Sequence, residues 1–187
     1  MRKINSGSSS LPQCICVIGT SGAGKTTLAH QLSQKLMIPH VELDSLYWEA
    51  NWVEPPLNIF RDRVNESLVG KHWIVDGNYS KIRDIVWGNA DTLVWLDYSF
   101  PVVMSRILWR TFYRVLTQQK VCNGNYETWK KALSTDSVIL WALQTYHRRR
   151  KEYPILFNKP EYSHLNIVRL SSPQAARNWL SNLASSK

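Results

Sequence analysis

The sequence predicts a three-layer, doubly wound α/β fold built on a parallel sheet of five strands. Short apolar runs alternate with longer segments whose apolar residues recur at helical spacing. The first apolar run is followed at once by a glycine-rich loop and then by an amphipathic segment. With 187 residues, the chain is long enough for one domain with a hydrophobic core and too short for two.

The first of five predicted strands is continuously apolar and rich in β-branched residues, which is typical of a strand buried on both faces of a parallel sheet. The five strands lie at residues 14–18, 38–43, 72–77, 91–97 and 165–170. Helical spacing predicts helices at residues 25–37 and 57–69, from about 101 onward, and at 127–152 and 173–183. Strands that alternate with helices predict a parallel sheet with helices on both faces.

A helical insertion at about residues 106–152 is predicted to form a lid. The turn residues Asn123, Gly124 and Asn125 lie near its middle, and we interpret them as a plain loop between helices. The chain has nine tryptophans. Those in apolar periodic segments are predicted to be core residues, namely Trp73, Trp95, Trp109, Trp141 and Trp179.

The N-terminal residues 1–13 are Ser-rich and contain no apolar segment of the signal-peptide kind, so we expect a disordered tail there. Residues 14–187 are then a single domain. The three cysteines have neither an even count nor metal-ligand spacing, which favours the reducing cytoplasm. Since no stretch of about 18 apolar residues is present, we expect no membrane partner.

Residues 19–26 match the phosphate-loop pattern G-x-x-x-x-G-K-[ST], the Walker A motif, at every fixed position. The strand before them and the helix after them supply the required context, which an isolated glycine turn would lack. The predicted nucleotide-binding residues are Gly19, Thr20, Ser21, Gly22, Ala23, Gly24, Lys25, Thr26 and Thr27. Lys25 would reach the β- and γ-phosphates, and the Thr26 hydroxyl would ligate Mg²⁺. Because no N-K-x-D motif follows a later strand, we expect ATP rather than GTP.

Asp76 is the predicted second protein ligand of the magnesium. It ends a predicted strand, and ligands of doubly wound sheets lie outside the carboxyl ends of the strands. Asp97 also ends an apolar run and is the competing candidate. We favour Asp76 because Gly77 follows it and leaves the ligand room, and we interpret Asp97 as a cap for the helix that starts near Pro101.

These features together resemble adenylate kinase and its relatives. The resemblance rests on residues 19–26, the Asp76-Gly77 pair, and Arg106-x-x-x-Arg110 after the V-W-L-D strand. It implies a P-loop NTPase fold with a lid over the phosphates. It also implies that Asp76 organises magnesium and that Arg106 and Arg110 bind phosphates of the donor nucleotide.

A closer resemblance is to one adenylate-kinase-related subgroup, the FlaR-like "DNA topology modulation protein" family. It covers nearly the whole chain from residue 14 to 183 and is carried by residues 44–52, 75–79, 122–127 and 138–150. The motif D-G-N-Y stands where true adenylate kinases have D-G-F-P-R. Since the arginine used on the acceptor phosphate is thereby lost, AMP is disfavoured as the acceptor.

Asp44 is the predicted acceptor-side carboxylate. Shikimate- and gluconate-type kinases, which the chain resembles in architecture, place an acid near this position. Such a group could orient an acceptor hydroxyl and take its proton. An equal alternative is that Asp44 caps a short helix at 45–49. Trp48 and Trp52 could stack on the acceptor or roof the core, and Tyr79 and Arg83 are weaker contact candidates.

Arginines of the predicted lid are expected to close over the transferring phosphoryl group. Arg106, Arg110 and Arg114 recur every four residues and therefore share one helix face. Three further arginines are consecutive at residues 148–150, so only one or two of them can face the same phosphate. Arg148 or Arg149 is expected in that role, and Arg148 is the predicted catalytic residue.

The net charge of +9 is concentrated in residues 106–151, where ten basic residues face only Glu127 and Asp136. Such a region suits a polyanion, which could be nucleotide phosphate, nucleic acid or a membrane surface, or it is simply a solvated helical face.

The leading hypothesis is a cytoplasmic kinase that transfers the γ-phosphoryl group of MgATP to a small acceptor. The alternatives are a nucleic-acid-associated ATPase or regulator of DNA topology, which lacks a recognisable nucleic-acid-binding motif, and a degenerate kinase that only binds nucleotide.

Overall fold

The computed structural model describes residues 11–132, 134 and 137–183. Most of the predicted tail, residues 1–10, and also Asp136 lie outside the described residues. No helix in these described ranges is long and apolar enough to cross a membrane.

Five of the strands form one parallel sheet. They are β1 (Cys14–Gly19), β2 (His40–Glu42), β3 (Trp73–Asp76), β4 (Thr92–Leu96) and β7 (Asn166–Leu170). The two remaining strands, β5 (Lys120–Val121) and β6 (Asn125–Tyr126), form a separate antiparallel hairpin. The order across the sheet is β2-β3-β1-β4-β7, with every neighbouring pair parallel. The prediction of a five-stranded parallel sheet is confirmed.

Eight helices lie in the described residues. They are α1 (Lys25–Leu36), α2 (Leu43–Tyr47), α3 (Leu57–Ser67), α4 (Arg83–Asn89), α5 (Phe100–Thr117), α6 (Trp129–Ala132), α7 (Val138–Phe157) and α8 (Pro173–Asn182). Short 3₁₀ turns occupy Ala50–Trp52, Ser80–Ile82, Cys122–Gly124 and Pro160–Tyr162.

The core lies in two layers, one on each face of the sheet. The side chains of β1 show why, because successive residues of a strand point to opposite faces. Cys16 and Ile18 join a cluster with residues of α2, α3, α4 and the end of α7. Ile15 and Val17 join a second cluster with residues of α1, α5 and α8. Both faces of the sheet are therefore covered, which confirms the three-layer prediction.

The helical prediction for 127–152 is partly wrong. The structure has two helices there, α6 and α7, and α7 continues through Pro154 to Phe157. The short helix α4 was not predicted, because its seven residues are too few to show a periodic pattern.

The prediction that five tryptophans are core residues holds for Trp73 and Trp95, which are both 3% exposed. Trp179 is partly buried against the α1 side of the sheet. The prediction is wrong for Trp109 and Trp141, which are 68% and 50% exposed. Trp109 lies two residues after the buried Ile107, a rotation of about 200° around the helix, so it points away from the core.

Candidate active site

The phosphate loop connects β1 to α1 at the carboxyl edge of the sheet. Gly24 is the N-cap of α1 and has φ 93°, in the left-handed region that favours glycine. Gly22 has φ 81°, and a Cβ there would overlap the side chain of Ile107 and lie 3.0 Å from the carbonyl oxygen of Val103. Helix α5 thus packs directly on the loop, and only glycine fits between them.

The start of α1 is open to an anion. No side chain caps its N-terminus, and its first turn carries no acidic residue. The first backbone N–H groups of a helix have no intrahelical partner, and the helix dipole makes this end positive. A phosphate held by the loop would satisfy both features.

Thr26 and Asp76 are brought together across the carboxyl ends of β1 and β3. The Thr26 hydroxyl donates a hydrogen bond of 2.8 Å to Asp76 Oδ2. Asp76 Oδ1 lies 2.7 Å from His40 Nε2, and the aspartate is 3% exposed. Sequence reasoning missed His40, because a lone histidine in a short apolar run carries no motif.

Lys25 begins α1 beside these groups. Its Nζ lies 3.5 Å from the carbonyl oxygen of Thr20. Burial lowers the pKa of Lys25, while the negative charges of Asp44 and Asp76 act in the opposite direction. A phosphate arriving at the loop would add further negative charge beside this ammonium.

The donor chemistry of the site fits Mg²⁺. A hydroxyl and a carboxylate are hard oxygen ligands, and Thr26 and Asp76 already lie within hydrogen-bonding distance. In the part of the chain that the structure describes, no group of three His, Cys, Asp or Glu residues could hold a metal ion. Magnesium does not need such a cage, because it keeps several waters and is held by one or two carboxylates plus phosphate oxygens.

Asp97, the competing metal candidate, is engaged elsewhere. Its Oδ1 lies 2.8 Å from Arg150 Nε, and its Oδ2 accepts a hydrogen bond of 2.9 Å from Arg169 Nε. The N-cap of α5 is Ser99, so the interpretation of Asp97 as that cap is wrong. Asp97 instead links β4 to α7 and β7.

Asn78 gives the D-G-N-Y motif a structural role at the phosphate loop. Its Oδ1 accepts hydrogen bonds of 3.2 Å from Gly19 N and from the Tyr153 hydroxyl, and its Nδ2 donates to Gly19 O. Packing also requires a glycine at position 77, because a Cβ there would lie 2.8 Å from Leu43 Cβ.

Asp44 lies in the first turn of α2, and its negative charge raises the pKa of Lys25 against the larger effect of burial. The N-cap of α2 is Glu42, so the alternative that Asp44 caps this helix is wrong. Asp44 is exposed, and its Oδ1 accepts a hydrogen bond of 2.6 Å from the Tyr79 hydroxyl. Burial raises the pKa of Tyr79, and the charge of Asp44 raises it further, so Tyr79 stays a neutral donor.

Two more residues line this side of the site. Glu42 lies directly opposite Asp76 in the strand register. Burial raises the pKa of Glu42, and the negative charges of Asp76 and Asp44 raise it further. Sequence reasoning did not single it out, although it lies two residues before Asp44. Arg83, which sequence reasoning ranked as a weaker candidate, lines a small cavity with Asn78 and Tyr79 and stacks over Trp87 at 4.8 Å.

The β5–β6 hairpin covers the α2 side of the site. Asn123 Nδ2 donates to the carbonyl oxygens of Ser45 and Trp48, at 2.8 and 2.6 Å. Asn125 is buried, and its side chain donates to Glu49 O at 2.9 Å and accepts from Trp52 N at 2.9 Å. Our interpretation of these asparagines as plain loop residues is therefore wrong.

Trp48 and Trp52 support this contact. Trp48 packs against the core and lies edge-on to Trp52 at 5.6 Å. The Trp52 indole donates to Tyr126 O at 3.1 Å, and the Lys131 ammonium lies 3.8 Å from the centre of its ring. Both tryptophans thus hold the hairpin in place.

The three arginines of α5 share one face, as predicted, but meet different surroundings. Arg106 Nη1 donates to Ala23 O at 3.1 Å, so it contacts the phosphate loop. Arg114 Nη1 donates to Glu127 Oε1 at 2.8 Å. Arg110 lies between them, and its Nε is buried without a partner in the described residues. Burial, followed by the charge of Arg114, lowers the pKa of Arg110.

The choice of Arg148 as the catalytic arginine of α7 is not supported by its position. Arg148 is exposed and lies 3.7 Å from Glu152 one turn along the helix. Arg149 is half-buried, and its charge contributes to the lowered pKa of Lys25. Successive helix residues differ by about 100°, and a run of three arginines contains no signal for which one faces inward.

Comparisons with known proteins support the fold. No protein-family model matches the chain. It is 32% identical over 114 residues to a shikimate kinase from Rhodopirellula baltica, a match that covers 51% of this chain and 59% of that relative. It is 25% identical over 126 residues to the uncharacterized protein YqaC of Bacillus subtilis, covering 66% of this chain and 71% of that protein.

Among solved structures, the chain is similar to a shikimate kinase from Bacteroides thetaiotaomicron. The TM-score is 0.51 at 16% identity, and the match covers 90% of this chain and 94% of that one. At this identity the likeness concerns the fold alone. The chain therefore has the P-loop kinase fold, an α/β fold with a five-stranded parallel sheet.

Proposed function

We propose that the protein is an ATP-dependent phosphotransferase that moves the γ-phosphoryl group of MgATP to a hydroxyl group of a small acceptor. One observation carries this proposal. The phosphate loop has a hydroxyl and a buried carboxylate, Thr26 and Asp76, hydrogen-bonded at its rim, and Asp44, a second and exposed carboxylate, follows the strand that pairs with Asp76 at the same edge of the sheet. The first pair suits a metal–nucleotide complex, and the second carboxylate suits a proton acceptor.

The donor half of the reaction uses the loop and α1. Backbone N–H groups of residues 19–26 and the N-terminus of α1 would hold the phosphates, and Lys25 would stabilise charge on the transferring group. Thr26 and Asp76 would hold magnesium, which would neutralise charge on the phosphates.

The acceptor half uses α2 and the hairpin. Asp44 would orient the acceptor hydroxyl and take its proton while the oxygen–phosphorus bond to the acceptor forms and the bond to ADP breaks. Tyr79 donates a hydrogen bond to Asp44 and so fixes the direction of its carboxylate. The docked hairpin covers this side, which would exclude water and prevent transfer of the phosphoryl group to it.

Cations complete the proposed site. Arg106 contacts the loop, Arg110 has a buried Nε with no partner in the described residues, and the charges of Arg110 and Arg149 act on the pKa of Lys25. Arginine stays charged and binds phosphate oxygens in a planar, two-point geometry. The contact of Arg106 with the loop favours a role for the basic lid in phosphoryl transfer over a nucleic-acid-binding surface.

We also propose that the chain belongs to the FlaR-like subgroup and that it acts in the cytoplasm. Two of the segments that carry the subgroup resemblance, residues 44–52 and 122–127, pack on each other through Asn123 and Asn125. The three cysteines are free thiols, which suits a reducing compartment.

A screen for label transfer from γ-labelled ATP to a metabolite library tests the proposal. We expect label in one class of small hydroxyl compounds, and we expect the transfer to depend on magnesium. Lys25→Ala and Asp44→Asn serve as controls that should both lose it. Binding of DNA that survives physiological salt, with no labelled small molecule, would favour the nucleic-acid-associated ATPase instead.

A further inference from the structure

His40 lies on the edge strand β2 and reaches along the sheet to Asp76. It pairs in register with Ile74, and Glu42 pairs with Asp76, so the side chains of all four lie on one face. His40 Nε2 is 2.7 Å from Asp76 Oδ1, and the two side chains are 13% and 3% exposed. The contact is thus a buried one, beside the phosphate loop.

The two oxygens of Asp76 have different partners. Oδ2 accepts from the Thr26 hydroxyl, and Oδ1 faces His40. The last torsion of an aspartate is soft, so a carboxylate held at one oxygen can still turn about its Cβ–Cγ bond. A second hydrogen bond at the other oxygen removes that freedom and fixes the carboxylate plane.

The two partners also differ in what a nucleotide would do to them. Thr26 is exposed at the start of α1, and its hydroxyl would contact a bound metal. His40 belongs to the sheet and faces the oxygen of Asp76 that Thr26 does not contact. Groups that hydrogen-bond a ligating carboxylate from behind set its orientation and are part of the metal site.

We propose that His40 is a positioning residue for the magnesium site of the phosphotransferase proposed above. The Nε2–H group of His40 donates to Asp76 Oδ1 and holds the carboxylate so that Oδ2 faces Thr26 and the metal. This inference assumes the nucleotide site of the proposed function, and it adds a residue that neither the phosphate-loop motif nor the Asp-Gly pair includes.

Two substitutions at this position separate positioning from packing. His40→Gln keeps an N–H donor at a reach similar to that of Nε2, whereas His40→Leu removes the donor and keeps an apolar side chain. His72→Leu is the matched control, because His72 is exposed just before β3 at the other end of the strand.

The measurement is the binding of a non-hydrolysable ATP analogue by calorimetry, at a series of magnesium concentrations and with EDTA. Loss of a residue that supports a metal ligand typically costs about 10- to 100-fold in metal affinity. We expect His40→Leu to raise, by roughly 10-fold, the magnesium concentration at which the increase in analogue affinity is half-maximal. Binding in EDTA should stay as in the wild type, His40→Gln should restore most of the loss, and His72→Leu should change nothing.

Several results would overturn the inference. A purely structural role would lower the thermal unfolding temperature of His40→Leu and leave the magnesium dependence unchanged. The inference would also be rejected if His40→Leu weakened analogue binding equally with magnesium and with EDTA, or if His40→Gln did not restore the magnesium dependence. If His40→Leu does not fold, a His40→Gln variant that binds magnesium as poorly as Asp76→Asn contradicts the proposal. Wild-type protein that binds no nucleotide at all would reject the proposed function itself, which is a separate result.

Discussion

The donor side and the acceptor side of the candidate site are built in different ways. The donor side is a continuous stretch, residues 19–26, whose geometry follows from glycines at positions where a Cβ does not fit. The acceptor side is assembled from α2 and the β5–β6 hairpin, which lie more than 70 residues apart and meet through Asn123 and Asn125. The first kind of site is encoded locally, whereas the second depends on long-range hydrogen bonds that no motif records.

This difference predicts that substitutions on the donor side remove all activity, while those on the acceptor side separate turnover from ATP binding. Lys25→Ala should have the largest effect. We expect phosphoryl transfer to fall by about 10³-fold, because the ammonium would no longer stabilise the charge on the transferring group. Circular dichroism should show an unchanged fold. Turnover close to that of the wild type would refute the assignment of the loop.

Asp44→Asn should cause the second-largest loss of turnover. Loss of a general base typically reduces the rate by 10²-fold or more, so we expect kcat to fall by about 10²-fold. The affinity for MgATP should stay unchanged, because Asp44 lies on the acceptor side. Steady-state kinetics with the acceptor found in the label-transfer screen provide the measurement. Equal losses of ATP affinity and kcat would place Asp44 in the donor site instead.

Arg149→Gln and Arg148→Gln test which arginine of α7 faces the phosphates. A hydrogen bond to a charged group is worth about 1.5–3 kcal/mol, so Arg149→Gln should lower kcat/KM by roughly 10- to 100-fold. Arg148→Gln removes only an exposed pair with Glu152 and should leave kcat/KM near the wild-type value. The opposite ranking would show that α7 turns when the nucleotide binds.

Asn125→Ala should have the smallest effect on chemistry and a measurable effect on stability. It leaves the part-buried Trp52 N–H and the carbonyl groups of Glu49 and Cys122 without the Asn125 side chain as partner, at a cost of about 1–3 kcal/mol in the free energy of unfolding. We expect the acceptor KM to rise while the ATP affinity stays the same. Asn158→Ala is the control, since the exposed Asn158 caps only the carbonyl oxygen of Pro154. A loss of ATP affinity in Asn125→Ala would mean that the hairpin also supports the loop.

The sequence was sufficient to predict the sheet, the helices α1, α3, α5 and α8, and the position of the phosphate loop. Their signals are local, since branched apolar runs predict strands and the loop needs glycine at particular backbone angles. The same approach failed where a helix has several apolar faces. Trp109 lies in an apolar periodic segment of α5 but points to solvent, because the stripe through Val103, Ile107 and Val115 already fills the core.

The finer features of the site could not be predicted for a related reason. The side of α7 that faces the loop is set by tertiary packing, which the three consecutive arginines do not reveal. His40 and Asn78 act through partners 36 and 59 residues away, and a histidine or asparagine alone indicates no particular partner.

The central claim is that residues 19–26 hold a magnesium–nucleotide complex with Lys25 and Thr26 at its edge. Calorimetric titration of the wild-type protein with a non-hydrolysable ATP analogue, with and without magnesium, tests it most directly. We expect one binding site per chain, with an affinity for the analogue that increases with magnesium and is lost in Lys25→Ala. The absence of magnesium-dependent heat with any nucleoside triphosphate would contradict it.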